Sequence, residues 1–270
     1  MFYLGRVSTM NYTTINRYSW DKRTEIHFTS EMYDVDGFLK GSCKLKEIEL
    51  NELPDVGGKK LLHLQCHFGM DTLSWARRGA KVTGVDFSPV AIERANELKE
   101  RSSLEAEFIC SEISDFADRS RPEYDIVFVS YGALCWLPDM DEWAKVVSKN
   151  LKIGGELCLV EFHPMYDFVT GYSYFHSVEP DVEEEGTYTE NCPGELMPLV
   201  TWAHPISEVI NSVVGAGMRI ESFKEYPFSP CDCFENLEEG EPGRFYLSGT
   251  KHQVPLVYSL KGIKVAEDED

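Results

Sequence analysis

The stretch that most limits what this chain can fold into is LLHLQCHFGMDTLSWARRGAKVTGVDFSPVAIERA, residues 61–95. Leu61-Leu62-His63-Leu64 is a short apolar run of strand type. Gln65-Cys66-His67-Phe68-Gly69 follows as a tight loop, and a helix is expected from Met70 to Arg78, stopped by Gly79. Lys81-Val82-Thr83-Gly84-Val85 reads as a second strand that ends on Asp86. Strand, loop, helix, strand and terminal acid make half of a nucleotide-binding α/β sheet. The loop meets the partial positive charge of a helix N-terminus, and Asp86 stands where a ribose offers its hydroxyls. A carboxylate accepts from both hydroxyls, and charged acceptors make the stronger hydrogen bonds.

The loop narrows the choice of nucleotide. A dinucleotide fold needs G-x-G-x-x-G, so that bare backbone approaches a pyrophosphate. Here Gln65 and His67 occupy positions where glycines are expected, and Gly69 remains. Side chains at both places obstruct a pyrophosphate. S-adenosylmethionine has a ribose and an adenine, no phosphate, and a slimmer methionine tail. The loop chemistry therefore favours that cofactor, with S-adenosylhomocysteine as its product form. The candidate contacts are Gln65, Cys66, His67 and Gly69, then Asp71 and Thr72 in the first helical turn, then Asp86, Phe87 and Ser88.

From about Leu61 to Lys264 the chain resembles the class I S-adenosylmethionine-dependent methyltransferases. The likeness is strongest at His63 to Asp86, at Cys110-Ser111-Glu112-Ile113, and at Tyr124 to Leu137. The family's usual first motif is acidic-x-Gly-x-Gly-x-Gly; the His-Leu-Gln-Cys-His-Phe-Gly form here resembles a bacterial subgroup acting on small molecules. The resemblance implies a Rossmann-like, seven-stranded, mostly parallel α/β sheet with a late antiparallel strand and helices on both faces. It also implies that Glu112 accepts from the adenine amino group while the Ile113 backbone reads a ring nitrogen. The region ahead of the first motif, 1–55, is implied to fold over the cofactor as a lid. Within it Trp20, His27 and Tyr33 either face the site or pack the segment onto the core.

Length and charge exclude other classes. At 270 residues the chain is expected to form a single domain with a large core. A formal net charge of −20 repels phosphate backbones, so a small-molecule partner is expected rather than nucleic acid. No stretch approaches the length of a membrane span, and a cytoplasmic location, as monomer or homodimer, is the default expectation. The eight cysteines are scattered, and Cys110, Cys135 and Cys158 lie in apolar strand patterns, so free thiols are expected. Cys231-x-Cys233 lacks two further ligands, and no metal is expected there. Met10 is an alternative start, and residues 267–270, all acidic, are expected to be disordered.

The rest of the chain reads as alternating helices and strands. An amphipathic helix is expected over Leu45–Leu53. Ser88 as N-cap and Pro89 at the first position open a helix to about Arg101. Strands are expected at Ala106–Cys110, Tyr124–Val129 and Glu156–Glu161, with a helix from Met140 to Asn150. A helix from Ile206 to about Ala216 follows, then strands at Arg219–Tyr226 and Val254–Val265, while 227–250 reads as loop. Ligands in open α/β sheets bind beyond the carboxyl ends of the strands, so Ser130, Tyr131 and Gly132 are expected beside the transferring methyl. Residues 164–204 read as a cap insertion, with a hairpin turned at Gly186 between 174–178 and 187–190, and with Tyr174 and Trp202 facing substrate. If the acceptor arrives protonated, His163, His204 and Tyr131 are the candidate bases, while His63 reads as a core histidine and His67 as a cofactor contact. Two other readings stay open: a nicotinamide-dependent oxidoreductase on the same type of sheet, and a non-catalytic S-adenosylmethionine-binding protein.

Overall fold

The computed structural model describes residues 11–119 and 124–266. The alternative start at Met10 and the tail 267–270 lie outside them. Three helices come first: α1 (Tyr12–Phe28), α2 (Val35–Leu39) and α3 (Glu47–Glu52). The alternating part follows as β1 (Lys60–Leu64), α4 (Met70–Arg77), β2 (Lys81–Asp86), α5 (Pro89–Ser102), β3 (Ala106–Cys110), α6 (Ile113–Arg119) and β4 (Tyr124–Ser130). A 3-10 turn at Leu134–Trp136 leads to α7 (Met140–Asn150), β5 (Leu151–Phe162) and α8 (Met165–Thr170). Then come β6 (Asp181–Glu185), β7 (Met197–Thr201), α9 (Ile206–Gly215), β8 (Met218–Tyr226), β9 (Leu237–Glu239), β10 (Phe245–Leu247) and β11 (Val257–Lys264).

Seven of these strands form one sheet in the order β3-β2-β1-β4-β5-β11-β8. The first five are parallel, and β11 runs antiparallel to both β5 and β8. This is the expected Rossmann-like sheet with its late antiparallel strand. The reason is visible in burial. Leu61, Leu62 and Leu64 of β1, Ile126 to Val129 of β4 and Leu157 to Val160 of β5 are all 0 % exposed, as required of strands covered on both faces. Side-chain alternation then splits the core in two. Leu62, Leu64, Val127 and Val129 pack with Trp143 and Val147 of α7 and Val209 and Val213 of α9. Leu61, Val82, Ile126 and Phe128 pack on the other face with Trp75 of α4.

Strand order reverses between β1 and β4, so their carboxyl ends diverge and open a crevice there. The helix signals hold locally. The Ser88 side chain accepts from Ala91 N at 3.0 Å and caps α5, and Asp139 accepts from Glu142 N at 2.9 Å to cap α7.

Three expectations are corrected. The segment ahead of Leu45, read without a helix, holds the long α1. Its buried residues are Asn16, Ser19, Arg23, Thr24 and His27, so it shows no apolar stripe. The hairpin of the insertion pairs Asp181–Glu185 with Met197–Thr201, not 174–178 with 187–190. Met197, Leu199 and Val200 supply the buried strand, whereas Phe175 is 71 % exposed. Thr187 and Tyr188 are drawn away to side chains of the N-terminal segment. Finally, 227–250 is not all loop, because β9 and β10 pair within it.

Candidate functional site

The crevice is built from the loop after β1. Gln65, His67 and Gly69 take left-handed φ values of 55°, 51° and 76°. Two side-chain-bearing residues therefore hold the conformation that glycine adopts freely, at a cost of order 1–3 kcal/mol each. The neighbours enforce it. Gln65 Nε2 donates to the Ala133 carbonyl at 2.6 Å, Cys66 N to Val85 O at 3.0 Å, and His67 N to Asp86 Oδ2 at 2.8 Å. Gly69 is needed for a second reason, since a Cβ there falls 2.6 Å from the Phe108 ring. Phe108 also crowds Gly84, where a Cβ falls 2.7 Å from the ring and 2.9 Å from Cys66 Sγ.

Asp86 is buried and accepts from two backbone amides, His67 N and Ser88 N at 2.9 Å. Burial raises its carboxyl to about 6, and the two amides hold it back from going higher. Helix α1 lies along this edge. Arg17 pairs with Glu112 at 2.8 Å and sits 5.9 Å from the Phe87 ring centroid, and Ser88 Oγ donates to Asp21 Oδ1 at 2.5 Å. Ile113 opens α6 directly behind Glu112.

A second polar cluster lies at the exit of β4. Tyr131 and Gly132 have φ values of 38° and 70°. Glu161 of β5, buried, shapes this turn: it accepts from Gly132 N, from Ala133 N at 2.7 Å, from Leu134 N at 3.0 Å and from Phe162 N at 2.6 Å. Tyr131 donates its hydroxyl to Glu49 Oε2 at 2.7 Å, and Glu49, 0 % exposed on α3, also takes Lys46 N at 2.7 Å. Burial and the negative charge of Glu49 push the Asp71 carboxyl up to about 7, against a hydrogen bond from Ser130 and the charges of Lys46 and Lys44. Beneath it His63 Nδ1 lies 2.8 Å from Thr72 Oγ1, and burial lowers the ring to about 3, which keeps it neutral.

Aromatic rings roof the loop. Trp20 packs edge-on to His67 at 5.2 Å and to Trp136 at 5.3 Å. His27, fully buried, meets His67 at 5.2 Å, stacks on Tyr33 at 5.0 Å and tilts against Tyr188 at 4.8 Å. Burial, and next the charge of Arg23, lower His27 to about 3. Its Nε2 lies 2.5 Å from Thr187 Oγ1, and the Tyr33 and Tyr188 hydroxyls meet at 2.6 Å. Gln65 Oε1, His67 Nε2, His27 Nδ1 and Arg17 Nε are buried with no hydrogen-bond partner. That concentration of open polar atoms around one loop is the chemistry of a binding site.

The histidines named as bases have their ring nitrogens in contact with other groups. His163 Nδ1 accepts from Met165 N at 3.0 Å and its Nε2 is 2.9 Å from Glu225, so both nitrogens are engaged at the start of α8. His204 Nε2 is 2.7 Å from the Leu137 carbonyl and its Nδ1 is 3.0 Å from Glu208. Tyr174 packs on Phe175 in the outer insertion, and Trp202 packs on Tyr12 at 5.1 Å. Glu49, Glu161 and Tyr188 were not anticipated, because a single carboxylate or phenol inside an ordinary pattern carries no signature. All eight cysteines are unpaired; Cys110 is exposed rather than buried in its strand, and Cys231 and Cys233 bring their sulfurs to 3.2 Å.

Residues 62–157 match the family model described as Methyltransferase domain. Over 132 residues the chain is 30% identical to a ubiquinone biosynthesis O-methyltransferase of Idiomarina loihiensis, covering 47% of this chain and 54% of that protein. The chain thus spans about half the length of the curated relatives it matches. Among solved structures, an S-adenosylmethionine-dependent methyltransferase of Methanosarcina mazei superposes with a TM-score of 0.60 at 20% identity, covering 83% of this chain and 99% of that one. A [4+2]-cyclase, SpnF, superposes equally well, with a TM-score of 0.60 at 14% identity over 95% and 98% of the two chains. Such likeness fixes the fold and leaves the chemistry to the site. The chain therefore has the Rossmann-like fold seen in S-adenosylmethionine-dependent methyltransferases, and its central segment matches the methyltransferase-domain family.

Proposed function

We propose that this protein is an S-adenosylmethionine-dependent methyltransferase that acts on a small organic acceptor. The observation that carries the reading is the loop itself. Gln65 and His67 hold a glycine-type backbone yet keep their side chains, and His67 N is tied to the acid that ends β2. Bare backbone for a pyrophosphate is lacking, while a ribose acceptor is in place.

The residues present fit the cofactor. Asp86 has oxygen lone pairs beyond those taken by His67 N and Ser88 N, and would hold the ribose hydroxyls. Glu112 and the Ile113 backbone would hold the adenine, with Arg17 sharing the Glu112 carboxylate. The unpartnered Gln65 Oε1, with Asp71, would receive the amino group of the methionine tail. Phe87, Ser88, Cys66, Gly69 and Thr72 would complete the walls. When bound, the cofactor supplies a sulfonium methyl already activated towards displacement. The protein's task is then to orient an acceptor and keep water out, which supplies roughly 7–11 kcal/mol of a barrier.

Ser130, Tyr131 and Gly132 border that position, and Tyr131 keeps its proton, since burial and Glu49 raise its phenol well above the ordinary value. Tyr131 therefore acts as a hydrogen-bonding and orienting group. If the acceptor needs a base, His163 and His204 are poorly suited to it, because the nitrogens of each are engaged. Residues 11–53 would serve as the lid and residues 164–204 as the cap, with Trp20 between them and the loop. Among the described residues no helix is long and apolar enough to cross a membrane, which suits a diffusible acceptor.

The test is a calorimetric titration with S-adenosylmethionine, S-adenosylhomocysteine and NADH. Saturable binding of both sulfur nucleotides with none of NADH is expected. Binding of NADH alone would replace this reading by the oxidoreductase one. Binding of the sulfur nucleotides without turnover of any acceptor would leave a sensor.

A further inference from the structure

On the α7/α9 side of the fold, two histidines and a glutamate converge. His176 comes from the insertion, His204 from the turn before α9, and Glu208 from the first turn of α9. Their ligand-type atoms all lie within 4.8 Å of one another. His204 is nearly buried. A carbonyl only accepts, so the 2.7 Å contact to Leu137 O places the His204 proton on Nε2. Nδ1 then presents its lone pair to Glu208 Oε2 at 3.0 Å. A lone pair and a carboxylate oxygen at that distance need a proton or a metal cation between them. On the other carboxylate oxygen, His176 Nδ1 stands 3.5 Å away, buried and without a hydrogen-bond partner. The two imidazole rings stack at 5.3 Å and 28°, which brings both to the same carboxylate.

We propose that His176, His204 and Glu208 bind one divalent transition-metal ion. A single ion satisfies all three groups at once. Two imidazoles and one carboxylate form the donor set of three-ligand zinc sites, and nitrogen donors select against calcium and magnesium. The carbonyl that fixes His204 through its other nitrogen is the outer-shell partner that metal-bound histidines use. His176 and Glu208 line a cavity of about 400 Å³, together with Asp139, Asp141, Asn211 and Ser212. The ion would clip the outer insertion, through His176, to α9. The clip ties the 171–180 segment to the sheet at the point where Leu137 leaves the β4 exit.

The experiment uses the untagged full-length chain, dialysed against EDTA and titrated with Co²⁺ by visible absorption and then with Zn²⁺ in competition. It is run in a Cys231→Ser, Cys233→Ser background, so that these two neighbouring free thiols do not contribute. One equivalent of Co²⁺ is expected to give a d–d spectrum without thiolate bands, displaced by Zn²⁺. Because loss of an outer-shell partner alone costs about 10–100-fold in affinity, His176→Ala and Glu208→Gln are each expected to lose at least about tenfold. Zn²⁺ is also expected to protect residues 171–180 from proteolysis in the parent and not in His176→Ala. That variant alters a partly exposed loop residue, and far-UV circular dichroism checks its fold. Absence of stoichiometric binding, or binding unchanged in both variants, overturns the proposal.

Discussion

Helices α7 and α1 are both packed on this molecule, and they are held by opposite means. On α7 the buried residues include Met140, Trp143, Ala144, Val146 and Val147, an apolar stripe pressed into the core. On α1 they are Asn16, Ser19, Arg23, Thr24 and His27. Asn16 exchanges two hydrogen bonds with the Val200 backbone, at 2.8 and 2.9 Å, Arg17 pairs with Glu112, and Asp21 takes the Ser88 hydroxyl. Apolar burial stabilises by roughly 25 cal/mol per Å² and gains nothing from water. Hydrogen bonds are exchanged with water at small net gain. A helix held in the second way would detach at lower cost, which is what the proposed lid role would require.

The largest effect should come from the apolar helix. Trp143→Ala is expected to cost about 3–5 kcal/mol in urea unfolding and to leave cofactor affinity per folded molecule unchanged. Equal loss of affinity would erase the contrast between scaffold and site. Asp86→Ala is the converse. On the proposed ribose role, its loss is expected to weaken S-adenosylhomocysteine binding by about 100-fold or more in calorimetry, with the fold retained. Unchanged affinity would remove the ribose assignment.

Asn16→Ala tests how α1 is held. It leaves the Val200 amide and carbonyl unpaired, a cost of about 1–3 kcal/mol. The loss is expected in hydrogen exchange of α1 and β7, with little change in the central strands. Uniform loss across the sheet would make α1 part of the core.

The smallest expected effect is a pH dependence. Asp71 titrates at about 7 in the folded protein against an ordinary 3.8, so the native state holds a proton there that the unfolded chain has released. The sign follows: ionising the group costs native stability as pH rises from about 4 to 7. Asp71→Asn should therefore raise Tm at pH 8 and give no gain near pH 4. Should the amino group of the methionine tail bind Asp71, affinity in the parent also falls below pH 7 and stays flat in the variant.

What the sequence revealed follows the same division. Apolar runs in β1, β4 and β5, the Ser88-Pro89 cap and the acid after β2 all leave periodic or positional traces, so the sheet and Asp86 were legible. Gln65 and His67 were legible as glycine positions, and both have the φ that glycine would have had. Helix α1 was not, because a buried polar stripe looks like surface. Glu49 and Glu161 were not, because what matters is the backbone and phenol they accept from, and those partners are 82 and up to 29 residues away. The insertion hairpin was misplaced because the aromatics at 174–175 imitate a strand, while the buried one lies at Met197–Thr201.

The β6–β7 pair has two edges, and an open strand edge is a template for another chain. On β6 the guard is charge, with Asp181, Glu183, Glu184 and Glu185 crowded along five residues. On β7 it is the Asn16 side chain, which occupies both backbone groups of Val200 as a neighbouring strand would. Lifting α1 would bare that second edge beside the buried Met197 and Leu199. Aggregation should therefore begin at residues 197–201, be fastest in conditions that loosen α1, and be suppressed by any ligand that keeps it seated.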